Sequence, residues 1–370
     1  MLAKSALALV LLVHGLIHLM GFAKAFGFGD VTAINQPISR SLGVAWLIAC
    51  AAMLVAAGMV VLKQATWWLP AVCGVLLSQL LIMSVWQSAK FGTIANLIIL
   101  VAALPGLGSW RFAGMVEEEV HSLLTSAQTE GPVVTDEALT TLPPIVQSWL
   151  RQSGVVGKPA VHLVYLEQRG QMKMKPSGGW VSFNAKQIIT AIEPQFVWAV
   201  QLKMGLPIAG RDKYIAGRGN MLIQVASILP VVNATGPETD HGSLLRYLAE
   251  ISWCPSAALQ PWLTWEQTGP LSAKAILSNR GQVVEGQFTF TQEGDFAGFE
   301  AQRYYARPTG PTLERWTIKA VDWKEFGGVR IPARCEVSWQ LKEGTFTWLE
   351  LEVTLLQVGL PRNQCPAAVA

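Results

Sequence analysis

Residues Leu42–Leu62 read LGVAWLIACAAMLVAAGMVVL, a run without a single charge. A helix rises about 1.5 Å per residue and the hydrocarbon core of a bilayer is about 30 Å thick, so this stretch is long enough to cross it. A helix also satisfies its own backbone polar groups, which lipid cannot do for it. Three more stretches have the same character: Ser5–Ala23, Trp67–Trp86 and Ile94–Trp110. Trp67, Trp68, Trp86 and Trp110 stand at their edges, where indole prefers the headgroup region. Lys63 and Lys90 fall in the short links, as snorkelling cations do. About four transmembrane helices are therefore expected.

The composition agrees with a chain of two characters. Of its 370 residues, 51% are hydrophobic and 14% are charged, against about 25% charged in an average soluble domain. Mean hydropathy is +0.35. The apolar excess lies before Trp110, and after Gly114 charges and Pro/Gly turns become regular. A net charge of +3 with no Lys/Arg stripe argues against nucleic acid as a partner. The five cysteines include no C-x-x-C; Cys254, Cys335 and Cys365 allow one disulfide at most and suggest no zinc site.

Lys4, the apolar core after it and Ala23-Lys24-Ala25 resemble a signal peptide with its cleavage site. The length of the segment and the spans that follow favour a retained helix. Lys4, Lys63 and Arg111 would share one side of the membrane and Lys24, Arg40 and Lys90 the other, which gives no positive-inside bias. Lys4 on a short N-terminus leans towards cytosolic termini in a bacterial plasma membrane, with the side of the soluble domain open.

Two polar features interrupt the apolar half. His14 and His18 are four apart and share a helix face. Ionisable groups in a span usually face a bundle interior, where these two would ligate a metal or haem, relay protons, or simply hydrogen-bond across helices. The last is the ordinary reading, and an interhelical hydrogen bond also accounts for Asn96.

The remainder reads as a polar linker over 113–134, with a short helix at Glu117–Ser126, and a soluble β-rich domain over 135–370. Thr135 caps a helical stretch to Gln152, split at Pro143-Pro144. From Ala160 onward the period becomes two. Strands are expected near Phe196–Lys203, Tyr214–Ile228, Ala273–Ser278, Val283–Thr291 and Gly298–Ala306, then at Arg315–Trp323, Ile331–Gln340 and Thr345–Val358. Glu293-Gly294-Asp295, Phe326-Gly327-Gly328 and Lys342-Glu343-Gly344 read as hairpin connections. One amphipathic helix, His241–Ile251 with Asp240 as N-cap, interrupts the strands. The expected fold is a helical transmembrane bundle over 1–112 plus an α+β domain. That domain is a curved antiparallel sheet, half-barrel-like and covered by the helix.

No complete catalytic motif is present: no G-x-x-x-x-G-K-[ST], H-E-x-x-H, G-x-S-x-G or G-x-G-x-x-G. Gly210-Arg211-Asp212 and Gly217-Arg218-Gly219 read as turns. The most suggestive cluster is Arg246 with Glu250, four apart on the helix. Such a pair is ordinarily solvated. Beneath a covering helix it would face inward, with Glu250 as an acid or base and Arg246 as an anchor for a carboxylate or phosphate. Arg211, Asp212, Tyr214 and Arg303 are further polar candidates on strands, and Trp253 and Trp265 are candidates for the wall of an apolar pocket.

The stretches His14–Phe22 (HGLIHLMGF), Lys90–Leu100 (KFGTIANLIIL), Gly210–Met221 (GRDKYIAGRGNM) and Arg246–Pro255 (RYLAEISWCP) resemble an uncharacterised bacterial membrane-protein family of unknown function. The resemblance spans most of the soluble half and, in longer members, the helices. It brings no established activity and therefore no catalytic residues. The helical half is also similar to DoxX-like four-helix membrane proteins, through one His-Gly segment and the helix count. The curved sheet is similar to lipoprotein-carrier half-barrels of the LolA/LolB type, a likeness of fold.

Three expectations follow. The first is a membrane-anchored binding protein whose partners are membrane lipids and a lipid-like or other apolar small molecule. The second is an enzyme on a membrane-derived substrate with Glu250 as acid/base. The third is a redox or haem module on His14 and His18. The cofactor and any protein partner are unknown from sequence.

Overall fold

The structure, a computed structural model, describes residues 2–126, 130–204 and 208–358. Cys365, the rest of 359–370, and residues 127–129 of the expected linker lie outside the described residues. The described chain divides into two compact units, residues 2–113 with 226–228 and residues 114–225 with 229–358.

The first unit is helical: α1 (Leu2–Ile17), α2 (Leu19–Phe26), α3 (Arg40–Val61), α4 (Trp68–Ser84), α5 (Trp86–Ala89) and α6 (Gly92–Ser126), the last crossing the unit boundary. Three stretches are long and apolar enough to cross a membrane, Lys4–Phe26, Arg40–Val61 and Gly92–Thr125; Trp68–Ser84 is apolar but shorter. The expected span Trp67–Trp86 is interrupted at Val85, whose φ of −128° and ψ of 37° leave the helix. The surface of these helices is apolar, with Leu9, Leu76, Leu80, Ile94, Leu97 and Val101 exposed, while His14, His18, Ser78 and Asn96 are buried. This arrangement inverts that of a water-soluble bundle and suits a lipid surrounding, which offers nothing to polar groups. Small residues bring the helices close. Gly21 lies against the Trp46 indole, in the space a Cβ would need.

The expected linker over 113–134 is helical as far as Ser126. The cause lies in its apolar spacing: Val116, Val120, Leu123 and Leu124 are buried at i, i+4, i+7 and i+8, one helix face. In the second unit come β1 (Glu130–Val133), α7 (Asp136–Leu139), α8 (Pro144–Gln152) and β2 (Pro159–Val161). β1 and β2 pair with each other. Thr135 caps α7, accepting from the Ala138 N–H, and Pro144 opens α8.

Among the described residues the main sheet has thirteen strands. Its first arm is β3 (Leu163–Met172), β4 (Val181–Thr190), β5 (Gln195–Leu202), β6 (Ile208–Ile215), β7 (Arg218–Val225) and β8 (Leu229–Ala234). After α9 (Pro237–Glu250), the second arm is β9 (Leu263–Gly269), β10 (Ser272–Asn279), β11 (Gln282–Phe290), β12 (Phe296–Tyr305), β13 (Thr312–Phe326), β14 (Val329–Leu341) and β15 (Gly344–Val358). The spatial order is β8-β7-β6-β5-β4-β3-β15-β14-β13-β12-β11-β10-β9, antiparallel throughout. The chain thus steps from the centre to one edge, passes through α9 to the opposite edge, and steps back until β15 pairs with β3.

Side-chain alternation explains the strands. In β11, Val284, Gly286, Phe288 and Phe290 are buried and the residues between them are not. At the β13–β14 connection Gly327 and Gly328 both take positive φ, 58° and 77°, the demand of a two-residue hairpin turn.

The curvature of the sheet follows from α9. This helix packs against β6 and β7 on one side and β11 and β12 on the other. β7 and β11 are nine places apart in the sheet order, about 43 Å at 4.8 Å per strand if the sheet were flat. A helix is about 10–12 Å across, so the sheet must bend around it.

Several expected boundaries are corrected. The single strand expected at Tyr214–Ile228 is two, β6 and β7, turning at Ala216-Gly217; the Gly210-Arg211-Asp212 segment lies within β6 instead of forming a turn. β4, β8 and β9 come in addition. β8 and β9 are sheet edges with much exposed surface and little apolar alternation to mark them. α9 begins at Pro237, with Gly236 at the N-cap position in place of Asp240. Pro237 is suited to the first helical position because its missing N–H has no intrahelical partner to lose. Asp240 instead accepts from the Gly219 N–H at 2.7 Å and pairs with Arg218.

Candidate functional site

Inside the curved sheet lies a cavity of about 240 Å³. Apolar side chains from both arms form most of its wall, among them Val200, Leu202, Ile223, Trp316, Ile318 and Leu349. Met174, exposed, and Lys173 border it where the chain leaves β3. Cys335 is also in the wall; burial pushes its pKa up to about 12, so it stays an uncharged thiol. The cysteines 254 and 335 are free.

One side of this apolar space is ionic. Arg246 and Glu250 both turn inward from α9, because residues four apart share a helix face. The Arg246 guanidinium donates to Glu250 Oε1 at 2.7 Å and to Asp212 Oδ2 at 2.8 Å. Asp212 comes from β6. Ser243, one turn before Arg246, donates to the same carboxylate at 3.5 Å. Gln187 of β4 donates to Glu250 Oε2 at 2.6 Å, and Trp198 of β5 donates to Gln168 of β3 at 2.9 Å. The Arg246 guanidinium lies 4.9 Å from the Phe196 ring centre and 4.7 Å from that of Trp198.

Burial opposes the charge on Arg246, and the two carboxylates outweigh it, leaving its pKa raised. Burial raises the pKa of Glu250, and the ion pair with Arg246 and the Gln187 hydrogen bond offset this only in part. Both carboxylate oxygens of Glu250 are engaged, Oε1 by Arg246 and Oε2 by Gln187.

Arg303, on β12, is the second guanidinium at the cavity. It lies 4.6 Å from the Trp316 ring centre and 5.9 Å from that of Trp339, with the Gly242 backbone of α9 close by. Among the described residues no hydrogen-bond acceptor or carboxylate pairs with it. Burial lowers its pKa to about 10, with Asp212 and Glu250 acting the other way and Arg246 adding to the fall. It is therefore a cation at neutral pH in an unfavourable place.

Of the candidates named from sequence, Asp212, Arg246, Glu250, Trp253 and Arg303 meet at this cavity. Arg211 also borders it, with its charged end engaged elsewhere. Adjacent strand residues point to opposite faces, and the Arg211 side chain turns from Asp212 to pair with Glu119 of α6 at 3.0 Å. Lys213, on the same face, reaches Glu119 at 2.8 Å. Tyr214 is fully buried and accepts from Asn279 at 3.2 Å. Trp265 packs away from the cavity against Trp149 and Phe288. Gln168, Gln187, Trp198 and Trp316 belong to the site and were not anticipated. Alternation within β4 and β5 places Gln187 and Trp198 on its face.

In the helical unit His14 Nε2 lies 2.8 Å from Asn96 Oδ1 and 3.4 Å from Ser78 Oγ. Asn96 donates to Gln79 at 3.0 Å, and His18 Nδ1 donates to the His14 carbonyl at 2.8 Å. No group of three or more His, Cys, Asp or Glu arranged to hold a metal occurs among the described residues.

The family model described as "Family of unknown function (DUF6544)" matches residues 132–351, more than half of the chain. The chain belongs to DUF6544. The DUF6544 segment contains α9 and every cavity-lining residue named above, and it leaves out α1–α6. No curated protein matches the chain. Among solved structures, an outer membrane lipoprotein-sorting protein domain from Vibrio parahaemolyticus is similar at 10% identity, over 59% of this chain and 93% of that one, with a TM-score of 0.34. A LolA superfamily protein from Nitrosomonas europaea is similar at 12% identity, over 59% and 96%, with a TM-score of 0.32. A DUF1329 family protein from Desulfovibrio piger is similar at 11% identity, over 59% and 93%, with a TM-score of 0.30.

Proposed function

We propose that the chain is a membrane-anchored binding protein. Its DUF6544 unit holds a lipid-like or other apolar molecule between the curved sheet and α9, which covers the site, and its apolar helices keep that unit at the membrane supplying the ligand. The observation that carries this reading is the cavity of about 240 Å³ with its mainly apolar wall. A well-packed interior leaves few voids larger than a water molecule, whereas this space equals roughly eight waters at 30 Å³ each. Its wall would hold those waters poorly, so an apolar occupant suits it better. Asp212, Arg246, Glu250, Trp253 and Arg303 are the proposed ligand-facing polar and aromatic residues. The exposed apolar surface of the helices supports the anchoring role.

The test is native mass spectrometry of the full chain purified in a neutral detergent. A retained small molecule of about one per chain is expected, and it should be lost on Val200→Phe, which narrows the cavity. A wild-type chain that neither retains nor takes up any apolar molecule would overturn the reading.

A further inference from the structure

The apolar wall selects for hydrocarbon but says nothing of a head group. Arg303 does. The charges that α9 and Asp212 bring to the cavity are hydrogen-bonded: Arg246 holds Asp212 and Glu250, and Gln187 closes the second oxygen of Glu250. Lys173, at the rim, lies 4.6 Å from the Trp180 ring. Arg303 has aromatic faces beside it and no acceptor among the described residues. Arg303 is half-buried and lines the cavity. A guanidinium presents a planar fork of donors that matches an oxyanion in two-point contact. Leaving such a group unpaired in an apolar site is costly, and the most direct relief is an anion supplied from outside the chain.

The volume narrows the class further. About 240 Å³ lies below the roughly 300–1,000 Å³ of typical ligand pockets. It suits one hydrocarbon chain with a compact head rather than a lipid with several chains.

We propose that the cavity takes a single-chain amphiphile with an oxyanion head, a carboxylate or a phosphate monoester. Arg303 receives the head and Trp316, Ile318, Leu349 and Val200 surround the chain. The proposal rests on the binding reading above. It adds the charge of the ligand and the residue that recognises it. The Arg246–Asp212–Glu250 cluster is joined by its own hydrogen bonds and holds α9 against β6. Asp212 and Glu250 are both hydrogen-bonded to Arg246, so among the described residues Arg303 is the cavity guanidinium that no carboxylate holds.

The experiment is a competition on the full chain in a neutral maltoside detergent. Dodecanoate, dodecyl phosphate and methyl dodecanoate are mixed in equal amounts, and native mass spectrometry reads which is retained. The anions are expected to be retained over the ester by about tenfold or more, as loss of a charge-assisted bidentate contact implies. Their ratio to each other tells a fatty carboxylate from a phosphate head. In Arg303→Met the preference for anion over ester is expected to vanish, and in Arg303→Lys to survive in part. The ratio is read within each variant, so a reduced yield of folded protein does not disguise it. A wild-type chain that retains ester and anions alike, or an Arg303→Met chain that keeps the preference, overturns the role of Arg303 and leaves the apolar site standing. A wild-type chain that retains none of the three overturns both.

Discussion

The two units bury polar groups in opposite ways. In the helical unit the buried polar groups include His14, His18, Ser78 and Asn96, which with Gln79 are joined by hydrogen bonds, with no ion pair among the contacts described there. In the sheet unit the interior carries full charges, with Arg246, Asp212 and Glu250 locked together and Arg303 left over. A neutral hydrogen bond holds helices at modest cost, because each polar atom needs only one partner to be acceptable in an apolar surrounding. A buried charge costs several kcal/mol and is tolerated only when paired. The helical interior therefore speaks of packing, while in the sheet unit a guanidinium with no acceptor bonded to it among the described residues speaks of something to be bound.

The contrast is broken most sharply at Arg246. Arg246→Met takes away the guanidinium to which both carboxylates are bonded, and a loss of about 3–5 kcal/mol is expected from unpairing buried charges. Denaturant unfolding followed by tryptophan fluorescence would measure it. A loss below about 1 kcal/mol, the size of an exposed pair, would show that water reaches the cluster.

In the helical unit the corresponding test is Asn96→Leu. It removes the links to His14 and Gln79 together, and a smaller loss of about 0.6–2 kcal/mol is expected, the range for interhelical hydrogen bonds in lipid. Unfolding in mixed micelles against the wild type would read it. An effect as large as that of Arg246→Met would mean that the His14–Asn96 contact does more than pack helices.

Much of this was legible in the sequence, and the exceptions have a common cause. Hydropathy is a local property, so Leu42–Leu62 announced itself. Alternation is local too, so β10 to β15 were readable strand by strand. The Arg246–Glu250 pair was visible because four residues make one helical turn. Asp212 was a candidate too, but its place as a third member beside that pair was not visible. It reaches Arg246 only because the sheet curls until β6 meets α9, and no pattern within GRDKY encodes that meeting. Reading Gly210–Asp212 as a turn also hid the fact that Arg211 and Asp212 serve opposite faces. Among tryptophans, composition promised aromatic walls but did not tell Trp316, which borders the cavity, from Trp265, which fills the core.

Glu250 supplies a pH test of intermediate size. Its folded pKa is raised by burial. The folded chain therefore keeps a proton that the unfolded chain has already released. The resulting stability is full below the unfolded value of about 4.5 and is lost as pH rises through the raised folded value. The slope in that window is at most about 1.4 kcal/mol per pH unit, the limit for one proton. Glu250→Gln should remove this contribution while leaving the slopes due to histidines. A wild-type stability that instead increases with pH across the same window, with no change in the variant, would place the Glu250 pKa at or below its ordinary value.

The smallest effect on stability should come from the residue argued to matter most for binding. Arg303→Met replaces an unpartnered guanidinium with an apolar chain of similar reach against Trp316 and Trp339. The cation–π contact is lost, worth about 0.5–2 kcal/mol, but the penalty of an unpaired, half-buried charge disappears with it. The two nearly cancel, so the ligand-free chain should change by no more than about 1 kcal/mol in either direction. Arg246 and Arg303 are thus the same side chain in one cavity with opposite expected behaviour. If Arg303→Met instead destabilises the ligand-free chain as much as Arg246→Met, then Arg303 has an internal partner that neutralises it, and its charge is no longer available to a ligand.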